Sequence, residues 1–194
     1  MEAFTFSPPE PLNCNVIDSS GQLIYAVHPP KNIIGISSLS SLVISKIPGS
    51  DTPEPIATIS HHKLLKDKFK FLNEELKGLE WQDNHRTFQF IAPWDSKTYA
   101  WSISDDGKEF KLRENSNRSE DVAIFQQGKH SELTDSLKPT LFITPEEKIF
   151  DGVIATFIYF TKMLRERAKE DPDHLGKKIG ETAVQTIALA GAGV

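Results

Sequence analysis

The chain has 194 residues, 38% hydrophobic and 25% charged, with a formal net charge of -5. These values describe one globular domain with a full core and leave no basic field for nonspecific nucleic-acid binding. A single cysteine, Cys14, excludes an intramolecular disulfide and a multi-cysteine zinc site, and it reads most simply as a buried, inert thiol in a reducing compartment.

The opening MEAFTFSPPEP has an acidic second residue, no basic flank and no long apolar core. No secretory signal is expected, and the protein is read as intracellular, in the cytoplasm or at a membrane surface. Pro8, Pro9 and Pro11 cannot donate to a sheet ladder, so residues 1–11 are expected to be a flexible lead-in, with the domain beginning at Leu12.

Cys14 to Asp18 and Gln22 to Val27 read as a hairpin across the polar turn Asp18-Ser19-Ser20-Gly21. Ile33 to Ile36 and Leu39 to Ile47 alternate serine with aliphatic residues, as half-buried strands do, until Pro48-Gly49-Ser50-Asp51 stops the pairing. Ile56 to His62 is the next strand. In Lys66 to Leu79, KDKFKFL alternates like a strand whereas NEELKGL holds helix formers, so only a strand around Phe69 is expected there. Thr87 to Ile91, Thr98 to Ser104, Glu109 to Arg113, Val122 to Gln126 and Thr140 to Ile143 complete the strands, with Asp106-Gly107 as a hairpin signal.

The stretch from Thr144 to Lys169 differs in kind. Thr144, Pro145 and Glu147 have the spacing of a capping box with proline at the first helical position. Val153, Ile154, Ala155, Phe157, Ile158, Tyr159 and Phe160 then cover every side of two turns, so the helix, expected over 145–168, must be surrounded. Asp151, Gly152 and Lys162 interrupt an apolar run that is too short for the roughly 20 residues a membrane span needs, so no transmembrane span is expected. Short strands followed by one buried helix predict a mainly β protein, an antiparallel barrel wrapped around its own helix. Residues 169–194 are expected to form a C-terminal tail, with a docked short helix as the alternative that their weak helical spacing leaves open.

The chemistry is sparse. Gly176-Lys177 is followed by Lys178, not by serine or threonine, so no phosphate-binding loop is present, and neither a dinucleotide glycine fingerprint nor a nucleophile elbow occurs. His61 and His62 would point to opposite faces of a strand, while His28, His85, His130 and His174 lack ligand spacing, so no metal is expected. The paired carboxylates fall at turns and helix starts, where acids are favoured locally. Trp81, Trp94, Trp101, Phe88, Phe90 and Tyr99 could form a binding platform, although barrel packing explains them more simply. At the helix end, Arg165, Arg167, Lys177 and Lys178 are the candidate contacts for an anionic lipid or phosphate, against the plain alternative of cations favoured by the helix dipole. No catalytic residue and no cofactor are expected.

The segments NVIDSSGQLIYAV, RTFQFIAPWDSKTYAWSI and IFDGVIATFIYFTKMLRER, in this order, resemble uncharacterised fungal proteins, chiefly basidiomycete, with a tubby C-terminal-like fold. The resemblance spans about residues 12–168. It implies a closed antiparallel barrel of about 10–12 strands threaded by the hydrophobic helix, distantly similar to LURP-one-related proteins and phospholipid scramblases. It carries over no catalytic residue, and no lysine or arginine aligns with the phosphoinositide site of tubby proteins. Three functions are weighed: a non-enzymatic intracellular binding or scaffold domain with an unknown protein partner, a peripheral membrane protein recognising anionic phospholipid or phosphoinositide, and a small enzyme using a pocket at a barrel end.

Overall fold

A computed structural model describes residues 1–8, 12–30, 41–48, 52–62, 65–82, 86–127 and 138–170. Among the described residues, thirteen strands precede one helix. They are β1 (Glu2–Ser7), β2 (Cys14–Ile17), β3 (Leu23–His28), β4 (Leu42–Lys46), β5 (Glu54–His62), β6 (Leu65–Phe71) and β7 (Glu74–Glu75). β8 (Lys77–Gln82), β9 (Thr87–Ile91), β10 (Thr98–Ile103), β11 (Glu109–Glu114), β12 (Asn117–Gln126), β13 (Thr140–Ile143) and α1 (Glu147–Glu170) follow.

The strands form one antiparallel sheet in the order β7-β6-β5-β4-β3-β2-β1-β13-β12-β11-β10-β9-β8. Its two ends, β7 and β8, are separated in the chain by Leu76 alone. Leu76 donates its N–H to the Phe69 carbonyl on β6 at 2.9 Å, whereas Lys77 pairs with Ile91 on β9. A single bent stretch therefore changes partner from one end of the sheet to the other and nearly closes the barrel. The helix-former reading of NEELKGL gives way here to tertiary pairing, which overrides a weak local preference.

The alternation seen in the sequence sets the inside and the outside. In β10, Tyr99, Trp101 and Ile103 are buried and the residues between them are partly exposed. Phe88 and Phe90, Phe110 and Leu112, Ala123 and Phe125, and Leu141 and Ile143 continue the inner layer. α1 fills the space they enclose, and Val153, Ile154, Ala155, Phe157, Ile158 and Phe160 are each 0% exposed. Phe157 lies 4.8 Å from Phe125, 5.4 Å from Phe6 and 5.5 Å from Trp101 between ring centroids, and Phe160 stacks on Trp101 at 5.8 Å. Burying rings of this size supplies much of the driving force for the fold.

Two expectations are corrected. Residues 1–11 are not simply a flexible lead-in. Glu2–Ser7 is a strand inside the sheet, paired with β13 on one side and β2 on the other, and Phe4 and Phe6 are buried. The prolines that suggested disorder begin only after this strand, while AFTF has the period-two pattern of a half-buried strand. The capping box is also not what starts α1. The Thr144 hydroxyl donates to the Asp121 carbonyl at 3.2 Å and its N–H to the Val122 carbonyl at 2.9 Å, so Thr144 finishes the sheet, and the helix runs from Glu147 to Glu170. The strand expected at Ile33 to Ile36 lies outside the described residues, as do residues 171–194 of the tail.

The expected turns are built by their own carboxylates. Asp18 Oδ1 accepts from Ser20 N, Ser20 Oγ and Gln22 N at 2.9, 2.7 and 2.8 Å. Asp106 Oδ1 accepts from Ser104 Oγ at 2.7 Å and Lys108 N at 3.1 Å, beside Gly107 with φ 71°. In both, hydrogen bonds to the ionised form, first of all from the serine hydroxyl, hold the carboxyl below its ordinary range.

Candidate functional site

The candidate cations are placed by the last turns of α1, where the helix leaves the barrel and its terminal carbonyls favour positive charge. Arg165 is half-buried. The Arg167 guanidinium lies 4.5 Å above the Trp81 ring of β8, a cation–π contact. Trp81 in turn packs on Phe88 and Phe160, so Arg167 is anchored to the barrel wall. Lys162, one helical turn earlier, is 2% exposed and pairs with Glu166. Among the described residues, the helix end thus brings together Arg165, Arg167, Lys162 and Glu166, with part of the positive charge neutralised. Lys177 and Lys178 lie outside the described residues.

Of the aromatic residues considered as a platform, Phe88, Phe90, Tyr99 and Trp101 face inward and are buried, and Trp94 is wedged between the helix and Phe71, Phe90 and Tyr99. They build the core rather than an exposed binding surface. The interior has no room left where Trp101, Phe157 and Phe160 meet, because all three are fully buried against one another.

Two polar clusters were not visible in the sequence. In the first, the Tyr25 hydroxyl donates to Asp151 Oδ1 at 2.6 Å, and Lys46 Nζ lies 3.0 Å from the same carboxylate. These residues come from β3, the first turns of α1 and the end of β4. Burial, and then the hydrogen bond to Asp151, push the Tyr25 phenol well above its ordinary range. In the second, Tyr99 donates to Asp95 Oδ2 at 2.7 Å, and Lys97 pairs with Glu114 at 2.8 Å. Burial, followed by the bond to Asp95, likewise raises the Tyr99 phenol. Both phenols are held neutral and act as donors, so neither is prepared for proton abstraction. The lone acid inside the apolar run, Asp151, was the signal available in the sequence, but its partners are more than a hundred residues away.

Among the described residues, no group of three or more His, Cys, Asp or Glu side chains is arranged to hold a metal ion, and no helix is long and apolar enough to cross a membrane. His28 Nδ1 lies 2.9 Å from the Pro29 carbonyl.

Residues 9–166 match the model of a family of unknown function, DUF6593. The chain belongs to this family. β1 precedes the matched span, although it is an inner strand of the sheet. No curated protein matches the DUF6593 chain. Among solved structures, it is similar to the X-ray structure of a protein from Arabidopsis thaliana, with 11% sequence identity and a TM-score of 0.50, covering 84% of this chain and 91% of that one. At that identity the likeness speaks for the fold alone.

Proposed function

We propose that this DUF6593 protein is a non-enzymatic intracellular binding or scaffold domain of the tubby-like type, which meets its partner through outer strand faces and loops. The observation that supports this reading is the filled interior. α1 occupies the position where a ligand-binding barrel would hold its ligand, and Phe157, Ile158 and Phe160 are 0% exposed. The reading is tested by identifying proteins that co-purify with the chain and rebuilding the complex from purified components in a calorimeter. A direct complex without chemical turnover supports it; failure to rebuild any complex overturns it.

A second reading is favoured by the cations at the exit of α1. The protein would dock on anionic phospholipid or phosphoinositide through Arg165 and Arg167, with Lys177 and Lys178 of the tail adding charge. The supporting observation is Arg167 held over Trp81 at the barrel rim. Flotation with liposomes containing or lacking phosphoinositide, at low and physiological salt, tests it. Salt-sensitive flotation that is lost when Arg165 and Arg167 are replaced by glutamate supports this reading, and absence of flotation removes it.

A further inference from the structure

The barrel has a seam between β6 and β8. β7 pairs with Lys70 and Phe71 alone, at the very end of β6, and leaves residues 65–68 of that strand beyond its reach. β8 is the last strand in the sheet order and, among the described strands, pairs with β9 only. Leu76 is bonded to Phe69 of β6 and runs straight on into β8, so the seam is closed there and opens toward Leu65 and Gln82. A strand edge of this kind is a template for a further strand, and folded proteins cover it.

α1 lies under the seam. Tyr159 stacks on Phe69 of β6 at 4.9 Å and meets Phe88 of β9 at 5.7 Å, while Phe160 meets Trp81 of β8 at 5.8 Å between ring centroids. Met163 follows one turn later on the same helix face. It is partly exposed, although Lys162 and Leu164 on either side of it are buried. Leu79 and Trp81 of β8 likewise pack on the core with part of their surface left over. The seam thus combines a backbone edge with an apolar floor, the two features by which an extended segment is held when it adds to a sheet.

We propose that the seam is filled by the chain's own C-terminal segment, with residues 182–189 added to β8 as an antiparallel strand. α1 ends at Glu170, one turn past Arg167, whose guanidinium lies over Trp81. The segment beyond Glu170 therefore starts beside β8, at the open end of the seam. Residues 171–181, EDPDHLGKKIG, carry the breakers Pro172, Gly176 and Gly180 and serve as the connection. Eleven residues reach up to about 36–40 Å, ample for the chain to turn back. Residues 182–189, TAVQTIAL, include the β-branched Thr182, Val184, Thr186 and Ile187. Strand alternation places Ile187 and Leu189 on one face, to cover Leu79 and Met163, and Thr182, Val184 and Thr186 on the other, toward water. Entering at the open end and running toward Leu76, this strand is antiparallel to β8.

Amide hydrogen exchange of the full chain, read residue by residue by NMR, tests this. The double variant Gln185→Pro/Thr186→Pro removes two consecutive donors, one of which faces β8 in any register. Ile187→Asp puts a charge on the apolar floor. In both variants the β8 amides that point into the seam are expected to exchange at least about tenfold faster than in the unaltered chain, while those of β1, in the middle of the sheet, stay as they were. In the unaltered chain, α-protons of residues 182–189 are expected to lie against α-protons of β8, because antiparallel pairing brings Cα atoms to about 4.5 Å at alternate positions. Equal exchange of the β8 amides in all three proteins overturns the proposal, as does a helix over residues 182–189. Protection of β8 that grows with protein concentration from about 5 to about 500 µM overturns it as well, since it assigns the seam to a second copy of the chain.

Discussion

The indole of Trp94 occupies the space that any side chain at residue 152 would need. A β-carbon built on Gly152 would lie 2.2 Å from Trp94 Cε3 and 2.3 Å from Cζ3. The glycine in the first half of α1 is thus a notch that receives the β9–β10 loop. Trp94 also meets Phe71, Phe90 and Tyr99 at 6.1, 6.1 and 5.6 Å between ring centroids, so it has little freedom to move aside.

Gly152→Ala is therefore expected to destabilise the protein despite the better helix propensity of alanine. The propensity gain is about 1 kcal/mol, while overpacking a filled core costs about 1–3 kcal/mol. Thermal unfolding followed by circular dichroism should show a lower melting temperature. Trp94→Ala combined with Gly152→Ala should lose less than the two single losses added together, because the clash exists only when both groups are present.

Removal of residues 1–7 is expected to prevent folding. β1 is hydrogen-bonded on both sides, to β2 and β13, and it contributes Phe4 and Phe6 to the core. Its loss would open the sheet in the middle and leave two new edges. Comparing soluble yield and circular dichroism of the truncated and full chains checks this. An unchanged melt would mean that β1 is dispensable.

Phe157→Ala should cost about 3–5 kcal/mol, the usual range for removing a buried phenylalanine. Its ring touches Phe6, Phe125 and Trp101, from three separate strands. Against a total stability of about 5–15 kcal/mol, that loss leaves a marginal fold. Urea unfolding gives the value directly, and a change below about 1 kcal/mol would contradict a packed helix–barrel interface.

The protein should lose stability in alkali. Tyr25 and Tyr99 have phenols raised above their ordinary range in the folded state, chiefly by burial. Above about pH 10 the unfolded chain releases these protons and the folded chain keeps them, so ionisation favours unfolding. Stability is fully present below that pH and falls as pH rises, by at most about 1.4 kcal/mol per pH unit for each group. Tyr25→Phe and Tyr99→Phe should each flatten the decline. Urea midpoints measured between pH 8 and pH 11 would reveal it, within the range where an ordinary tyrosine ionises near 10.

Much of the architecture was legible because it rests on short-range patterns. The period-two stretches at Thr87 to Ile91 and Thr98 to Ser104, the Asp106-Gly107 turn and the all-round apolar run from Val153 to Phe160 each state their local geometry within a few residues. The candidate site was less legible. Arg165 and Arg167 could be named as cations at a helix end, but that Arg167 rests on Trp81 depends on how α1 enters the barrel.

By itself, the sequence determined that the chain is mainly β with one helix too apolar to be left exposed, since the periodicity and size of neighbouring side chains decide which faces must leave water. The tertiary structure decided the remainder: that β1 lies between β2 and β13, that the strand after Leu72 changes partner at Leu76, and that Gly152 makes room for Trp94. Each of these joins residues that are distant in the chain or have no local preference strong enough to announce them. Such pairings are selected only when the whole barrel closes around its helix and every strand must find a neighbour for its backbone groups.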